Sequence, residues 1–401
     1  MGRLRIPLAV VAAVAAAEAA VLVLRPRGGI VSPAPVSAGS YFSRAELDRA
    51  EAFRGPQLWL FAGSVAIEVV VLAAAVAHPP RRFAGRPLLG AAAAGAALSV
   101  AVSLAPLPVR AVMRERARDV GLVTQSWPGW ARDVALSTAI GAAFAGAGAL
   151  AAVALVRRLP RVWWLPASAL VVGFGAATIY AGPVVLDPLF NKFTPLPAGQ
   201  TRSDVLDLAR RAGVDVGEVY EVDASRRTTA ANAYVTGLGR TKRVVLYDTL
   251  LEHFSRDEVR LVVAHELGHV RYRDVPRGLL FLLIVAPPGM FAAAAIARRL
   301  DRSPAPGAGT VPALAAAVAL VVVPVTLVAN QLSRRIEARA DTYSLRLTEA
   351  PEPFISFERR IAVRNVADPD PPGWRTFLLA THPPVLERIG AAEAYRSGGS
   401  S

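Results

Sequence analysis

Residues 265–269 read His265-Glu266-Leu267-Gly268-His269, two histidines four positions apart with a glutamate directly after the first. On an α-helix, residues four apart project from the same face, so both imidazoles can bind one metal ion. Glu266 then lies beside the position that the metal leaves open for water. This spacing is typical of hydrolytic zinc sites and predicts His265 and His269 as metal ligands and Glu266 as the general base. The alternative is a surface helix with coincidental spacing.

The helix that carries this motif has its own start signal. Ser255 precedes Glu258 by three residues, which is the pattern of a capping box. Asp257 is also favourable at the positive end of the helix dipole. We therefore expect a helix that begins after Ser255 and runs to about Val270.

A catalytic zinc site has three protein ligands and one open position, and the motif supplies only two of the ligands. Glu337 is the best candidate for the third, because it stands in a charged helical turn directly after the last apolar stretch of the chain. Asp341 lies one helical turn further on the same face, where a carboxylate can orient a ligand imidazole. Alternatively, both are ordinary helix carboxylates, with Glu337 paired to Arg334 or Arg339.

The composition limits the other classes of protein to consider. The 401 residues include no cysteine, which excludes disulfides and every thiolate-based zinc or redox site. The net charge of the chain is +14, and almost all of its basic residues are arginines. These arginines gather in pairs beside the apolar stretches, at positions 25 and 27, 81 and 82, 157 and 158, and 298 and 299. Arginines at such positions anchor helices in the headgroup region, so we expect no nucleic-acid partner.

Hydrophobic residues make up 53% of the chain and form seven stretches long enough to cross a bilayer. These stretches are Pro7 to Leu24, Gln57 to Ala77, Leu88 to Leu107, Ala135 to Val156, Trp163 to Val185, Gly278 to Ile296, and Pro312 to Leu332. The first could instead be a signal peptide, but its length favours a retained helix. The last two form a hairpin that returns the chain to the same membrane face, which brings Glu337 back to the face of the motif.

One long polar segment, residues 186–276, separates the fifth and sixth stretches and is the candidate catalytic segment. It begins with a proline-punctuated linker at residues 188–197, and Ser203 to Ala212 is a predicted amphipathic helix. Three stretches are candidate strands: Val219 to Val222, Ala231 to Leu238, and Arg243 to Tyr247. The predicted fold is mainly α: a polytopic membrane protein with about seven transmembrane helices and a zincin-like α+β catalytic domain.

The same features divide the chain into five parts. Residues 1–185 form an N-terminal transmembrane region of about five helices, and residues 186–276 form the catalytic segment. A transmembrane hairpin follows at 277–332, and residues 333–392 form a C-terminal segment that completes the active site. The glycine- and serine-rich end, residues 393–401, is predicted to be a disordered tail.

Two further residues are candidates for contacting the substrate. His382 precedes two prolines, and if this turn folds over the site, the imidazole can donate to the oxyanion that forms when water attacks a peptide carbonyl. Asn232 begins the middle candidate strand and can bind a substrate backbone, because extended peptides often add to a sheet edge. The alternatives are a histidine in a rigid turn and a turn-forming asparagine.

These residues resemble the CAAX prenyl protease 1 family of integral-membrane zinc metallopeptidases. The segments that carry the likeness occur in the family's order: residues 121–126 with Trp130 and Asp133, residues 187–196, Asn232-Ala233-Tyr234, residues 243–250, the motif, residues 337–341, and His382-Pro383-Pro384 through Arg388. The resemblance covers roughly Gln57 to Ile389. It implies zinc held by His265, His269 and Glu337, with Glu266 as the base and Asp341 supporting a ligand.

The resemblance also implies a wide helical chamber in the membrane and a polypeptide substrate. Family members remove a C-terminal tripeptide from prenylated proteins or cleave other membrane-associated polypeptides. We therefore predict a zinc metalloendopeptidase acting on membrane-associated or prenylated (CAAX-type) polypeptides, with the lipid bilayer as its other partner. The expected location is the bacterial inner membrane, with the active site facing the cytoplasm or an intramembrane chamber. The sequence does not indicate the oligomeric state.

Other functions stay open on the residues alone. A general quality-control protease of membrane proteins needs the same site without prenyl specificity. A non-catalytic membrane scaffold stabilised by zinc needs a fourth ligand that closes the site, and no further histidine is an obvious candidate. A transporter is disfavoured, because the apolar stretches hold few charges beyond Glu18 and Glu68.

Overall fold

A computed structural model of the protein describes residues 5–80, 85–237, 239 and 242–398. Six α-helices of the described residues precede the catalytic segment: α1 (Arg5–Leu24), α2 (Arg44–Ala77), α3 (Pro87–Leu104), α4 (Leu107–Asp119), α5 (Trp127–Arg158) and α6 (Trp164–Val185). The catalytic segment holds α7 (Asp187–Phe190), β1 (Phe193–Pro195), α8 (Gln200–Ala212), β2 (Glu218–Val222), β3 (Ala233–Thr236), β4 (Arg243–Tyr247), α9 (Asp248–His253) and α10 (Arg256–Arg271). The remainder forms α11 (Asp274–Leu300), α12 (Thr310–Thr348), α13 (Pro351–Arg364), α14 (Gly373–Leu379) and α15 (Val385–Arg396).

Seven of these helices are long and apolar enough to cross a membrane, namely α1, α2, α3, α5, α6, α11 and α12. They match the seven predicted stretches. Only 6% of the apolar window of α6 is buried within the protein, so its side chains need the apolar surroundings that a bilayer supplies. The helix α3 ends at Leu104, three residues before the predicted Leu107, because Pro106 and Pro108 lack the backbone N–H that would continue it. The chain then forms a further helix, α4, at Leu107, and this helix was not predicted.

Small residues let the membrane helices pack closely. A Cβ atom on Gly95 of α3 would lie 2.6 Å from the carbonyl oxygen of Ala145 on α5, so only glycine allows this approach. Alanines of several helices form the buried centre of the bundle, including Ala13, Ala91, Ala292 and Ala317. The alanine-rich composition therefore serves helix contact within the bundle.

The sheet has four strands in the order β1-β2-β4-β3. The central strands β2 and β4 are parallel, with Val222 opposite Tyr247, and both outer strands are antiparallel to their neighbours. The three candidate strands are observed, although the middle one is shorter than predicted and its last predicted residue, Leu238, lies outside the described residues. β1 arises within the predicted linker, because Phe193–Pro195 pairs along the edge of β2, and a proline is tolerated in an edge strand.

The sheet positions the motif helix through burial of apolar side chains. Val244 and Leu246 of β4 pack with Leu208 of α8 and with Val263 and Leu267 of α10, and all five are fully buried. Burial of one such side chain stabilises a fold by roughly 1.5–3 kcal/mol. Since one face of α10 is committed to this core, its histidine face turns towards α12.

The ends of α10 follow the sequence signals. Ser255 and Glu258 form the predicted capping box, with the Ser255 amide donating to Oε2 of Glu258 at 2.7 Å. The helix ends at Arg271, close to the predicted Val270. Arg273 then adopts a left-handed conformation with φ of 55°, which turns the chain sharply into α11.

Polar contacts join the N-terminal membrane helices to the catalytic segment. Arg227, between β2 and β3, donates to both carboxylate oxygens of Asp133 at the start of α5, at 2.8 and 3.3 Å. The same guanidinium donates to Oδ1 of Asn191 at 2.9 Å, and Gln125 donates to Asp133 at 2.6 Å. The membrane region and the catalytic segment are therefore tied together at the start of α5.

The C-terminal helix α15 extends to Arg396, so residues 393–396 are helical although the predicted tail begins at residue 393. Residues 399–401 of that tail lie outside the described residues, as do Arg81 and Arg82. The division of the chain into five parts otherwise stays a prediction.

Candidate metal centre

Three potential ligand atoms meet where α10 packs against α12. Nε2 of His265 lies 3.1 Å from Nε2 of His269 and 3.2 Å from Oε2 of Glu337. Nε2 of His269 lies 3.7 Å from Oε1 of Glu337. Tetrahedral ligands at 2.0–2.1 Å from zinc are about 3.4 Å from one another. The three separations therefore suit one tetrahedrally coordinated ion.

The other nitrogen of each imidazole is held by a carboxylate. Nδ1 of His265 donates to Oδ1 of Asp341 at 2.9 Å, and Nδ1 of His269 donates to Oδ2 of Asp274 at 3.1 Å. An ionised carboxylate only accepts hydrogen bonds, so both ring protons reside on Nδ1. Both Nε2 atoms are then left to present lone pairs to each other and to Glu337, an arrangement that needs a cation among them.

Glu337 supports the same conclusion. Its side chain is largely buried, and its Oε2 makes no hydrogen bond to any residue that the structure describes. Leaving a buried carboxylate oxygen without a partner is costly. The donor set of two imidazole nitrogens and one carboxylate therefore fits a divalent metal ion such as zinc.

Without a metal ion, a proton can take the place of the cation. Burial lowers the pKa of His265, but the nearby carboxylates of Asp341 and Glu337 outweigh this effect and raise it to about 10. An imidazole must be neutral to bind a metal through Nε2, so metal binding releases that proton.

Glu266 lies beside the metal ligands and faces a cavity of about 180 Å³. The potential ligand atoms of His265, Glu266 and His269 all lie within 4.8 Å of one another, so these three residues could also hold a metal. Glu337 is the better third ligand, because its oxygens lie 3.2 and 3.7 Å from the two Nε2 atoms. Glu266 is then free to act on water. Burial raises the pKa of Glu266 above the ordinary glutamate value.

Asp341 is one member of a buried ion cluster. Arg388 of α15 donates to Oδ2 and Oδ1 of Asp341 at 2.8 and 2.6 Å, and to Oε2 of Glu358 of α13 at 2.9 Å. One guanidinium thus supplies the counter-charge for two carboxylates, and it links α13 and α15 to α12 at Asp341.

The alternative pairing of Glu337 with neighbouring arginines is wrong. Arg334 donates to the carbonyl oxygens of Thr376 and Ala380, at 3.1 and 2.7 Å. Arg339 donates to Asp274. Both arginines therefore hold other parts of the structure, and Glu337 faces the two histidines.

His382 and Asn232 also lie at this centre. Nε2 of His382 is 3.3 Å from Oε2 of Glu337, and its Nδ1 is 2.9 Å from the hydroxyl oxygen of Thr381. Asn232 is exposed, directly precedes the edge strand β3, and lines the same cavity as Glu266. The structure thus brings all seven predicted site residues around one centre, and their roles remain predictions.

Three residues around this centre were not identified as site residues from the sequence. Asp274 follows His269 by five positions, and that closeness to the motif was an available signal. Arg388 was noted only as the end of a family-like segment. Glu358 carries no local pattern that separates it from the other glutamates of an amphipathic helix.

Comparison with known proteins decides the family. Residues 195–396, about half of the chain, match peptidase family M48. The chain is also 33% identical over 304 residues to the uncharacterized metalloprotease YhfN of Bacillus subtilis, an alignment that covers 74% of this chain and 71% of that protein. The chain belongs to peptidase family M48. It is therefore a metallopeptidase, as predicted, and the family implies a bound metal ion and a polypeptide substrate.

This M48 chain also resembles CAAX prenyl protease 1 homologues. It is 30% identical to the homologue of Oryza sativa subsp. japonica over 223 residues, which are 54% of this chain and 52% of that protein. The M48 chain thus spans about half the length of that relative. Together with the family match, this similarity confirms the predicted CAAX prenyl protease family.

The fold has a counterpart among solved structures. The crystal structure of Ste24p from S. mikatae matches with a TM-score of 0.72 over 98% of this chain and 99% of that chain, at 18% identity. The match confirms the predicted fold class. The M48 chain is an integral membrane protein with seven candidate spans and a small sheet beside its metal centre.

Proposed function

We propose that this M48 peptidase is a zinc metalloendopeptidase that hydrolyses peptide bonds of membrane-associated polypeptides, including prenylated (CAAX-type) ones. The observation that carries the proposal is the convergence of the Nε2 atoms of His265 and His269 on the carboxylate of Glu337, with Glu266 free beside them. The CAAX prenyl protease 1 homologues support the substrate class. The bacterial relative and the seven spans support a location in the bacterial inner membrane. In this proposal the site faces the cytoplasm or an intramembrane chamber, as the family resemblance implies.

In this proposal His265, His269 and Glu337 hold the zinc ion. Zinc, when bound, lowers the pKa of water to about 7 and polarises the scissile carbonyl. Glu266 accepts the proton of the attacking water and passes it to the leaving amine. Because Glu266 is partly buried beside the ligands and is not needed to bind the ion, it can exchange this proton without releasing the metal.

Two other residues act on the substrate. His382 donates a hydrogen bond from Nε2 to the oxyanion of the tetrahedral intermediate, and its position 3.3 Å from Glu337 supports this role. Asn232 binds the substrate backbone at the start of the edge strand. Asp341 holds the imidazole of His265 in the tautomer that binds metal through Nε2.

The cavity next to Glu266 supports a peptide substrate. Four buried apolar residues line it: Leu250, Leu261, Phe354 and Phe357. Ala231 and Asn232, directly before β3, line the same cavity, and no strand of the described residues pairs with the outer edge of β3. An extended peptide can therefore add to β3 while one of its apolar side chains enters the cavity.

A pair of quenched fluorescent peptides tests the proposal. One peptide carries a prenylated cysteine near its C-terminus, and its twin is identical but unprenylated. We expect the zinc-loaded protein, purified in detergent, to cleave the prenylated peptide faster, and the Glu266→Gln variant from the same preparation to cleave neither. Equal cleavage of both peptides would support a general quality-control protease. Cleavage of neither peptide by zinc-loaded protein would favour the non-catalytic scaffold.

A further inference from the structure

We infer that Asp274 is a positioning residue for His269 and couples the metal centre to the membrane hairpin of α11 and α12. This inference rests on the proposed zinc site. Oδ2 of Asp274 accepts the Nδ1 proton of His269 at 3.1 Å. The hydrogen bond fixes the ring tautomer and the ring plane, so that Nε2 points towards Glu337.

The second oxygen of Asp274 joins the two helices of the hairpin. Oδ1 accepts hydrogen bonds from Arg277, one turn later on α11, and from Arg339 of α12. The side chains of Asp274 and Arg339 are each only 8% exposed. Charge-assisted bonds in such a buried place are strong and directional, so the carboxylate cannot rotate away from His269 without losing them.

The turn between α10 and α11 places Asp274 at the first position of α11, next to His269. Arg273 takes φ of 55°, a conformation that is unfavourable for any residue with a side chain. Such strain persists only where the surrounding contacts hold it in place. Here the guanidinium of Arg339 lies 4.1 Å from the ring centroid of Tyr272. Arg339 of α12 therefore contacts both the turn and Asp274.

Both imidazoles are thus oriented by the hairpin. Asp341 of α12 holds His265, and Asp274 of α11 holds His269 with the help of Arg339. Glu337 lies only two residues before Arg339 on the same helix. A shift of α12 relative to α10 would therefore change the third ligand and the orientation of both histidines together.

Zinc affinity tests the role of Asp274 independently of peptidase activity. We expect Asp274→Asn to weaken zinc binding roughly 10- to 100-fold, measured by competition with a chromophoric chelator on the full-length protein in detergent. The matched control is Asp257→Asn in the first turn of α10, since the Asp257 side chain is 60% exposed and pairs with Arg260 at 3.6 Å on the same helix. We expect the control to bind zinc as the parent protein does. Parent-like zinc affinity of folded Asp274→Asn would overturn the inference.

The visible absorption spectrum of bound cobalt distinguishes a role of Asp274 in positioning His269 from a general effect of Asp274 on fold stability. Cobalt in place of zinc reports its ligand geometry through visible absorption, and we expect the bands of Asp274→Asn to shift from those of the parent and of Asp257→Asn. Weaker binding with an unshifted spectrum would mean that Asp274 acts only through fold stability, which overturns the inference. If Asp274→Asn is not recovered folded, Asp274→Glu keeps the charge but moves the carboxylate, and an unchanged spectrum there has the same meaning. Asp274-dependent zinc binding without peptide cleavage would retain this inference and refute the proposed function.

Discussion

Asp341 accepts a hydrogen bond from Nδ1 of His265 at 2.9 Å, although the two residues lie 76 positions apart in the chain. Between them the chain leaves α10, passes along the whole of α11, and returns along α12. Asp341 is only 2% exposed, and its charge is balanced by Arg388. The metal centre is therefore assembled by helices that return from the membrane region, and the motif helix supplies only part of it.

The role of Glu266 is tested by Glu266→Gln. The amide has nearly the same shape but cannot accept the proton of the attacking water, so we expect kcat to fall by roughly 100- to 10,000-fold. The zinc content should stay the same, because the three ligands are untouched. Peptide cleavage and elemental analysis on one preparation give both values. Undiminished turnover would exclude Glu266 as the base.

The third ligand is tested by Glu337→Ala. Two imidazoles alone leave the ion with an incomplete coordination sphere, so we expect a large loss of zinc from the purified protein and of activity with it. Glu252→Ala is the control, since the side chain of Glu252 is 67% exposed on α9. Full zinc content in Glu337→Ala would remove Glu337 from the ligand set.

Chelation tests whether the metal stabilises the fold as well as serving the reaction. A ligand that binds only the folded protein adds about 2.7 kcal/mol when present at one hundred times its Kd. We expect a chelator to lower Tm and abolish activity, and added zinc to restore both. Glu266→Gln should keep the zinc-dependent rise in Tm, and Glu337→Ala should lose it. If the Tm of the parent protein did not change when zinc was removed or added, that result would contradict a site formed by these ligands.

Glu358 should make stability depend on pH. It is 1% exposed, and its Oε1 has no hydrogen-bond partner among the described residues. Burial, opposed by Arg388 and reinforced by Asp341, raises the pKa of Glu358 above its ordinary value of 4.5. An acid with a higher pKa in the folded state stabilises the fold at low pH, and this contribution is lost as the pH rises from that ordinary value through the folded one.

We therefore expect Glu358→Gln to gain Tm relative to the parent protein as the pH is raised from about 5 to about 8. Glu252→Gln serves as the exposed control and should show no such trend. The opposite slope, with the parent gaining on Glu358→Gln, would show that the pair with Arg388 outweighs the cost of burial.

Much of the site could be predicted because its signals are local. The spacing of His265 and His269 places them on one face of any helix, and the capping box at Ser255 marks where that helix begins. Glu337 was found because it directly follows an apolar stretch whose crossing had to return the chain to the same face. Each of these signals depends on neighbouring residues and on hydropathy.

Other features had no local signal. β1 lies in a proline-rich segment and becomes a strand only because the edge of β2 is available for pairing. α4 is held by contacts that come from elsewhere in the chain, such as the guanidinium of Arg114 lying 4.3 Å from the ring centroid of Trp127. The role of Asp274 depends on its contacts with His269 and Arg339, and the role of Arg388 on its contacts with Asp341 and Glu358. These contacts form only when the helices pack.

The amino-acid sequence by itself determined the two candidate imidazole ligands, the adjacent glutamate and the seven apolar spans, because helical spacing and hydropathy are properties of short stretches of chain. Only the tertiary structure decided which acids face which imidazole nitrogens and which arginines balance those acids. The physical reason is that a buried charge is stable only beside its partners, and those partners are brought together by the packing of α10 against a membrane hairpin and the C-terminal helices.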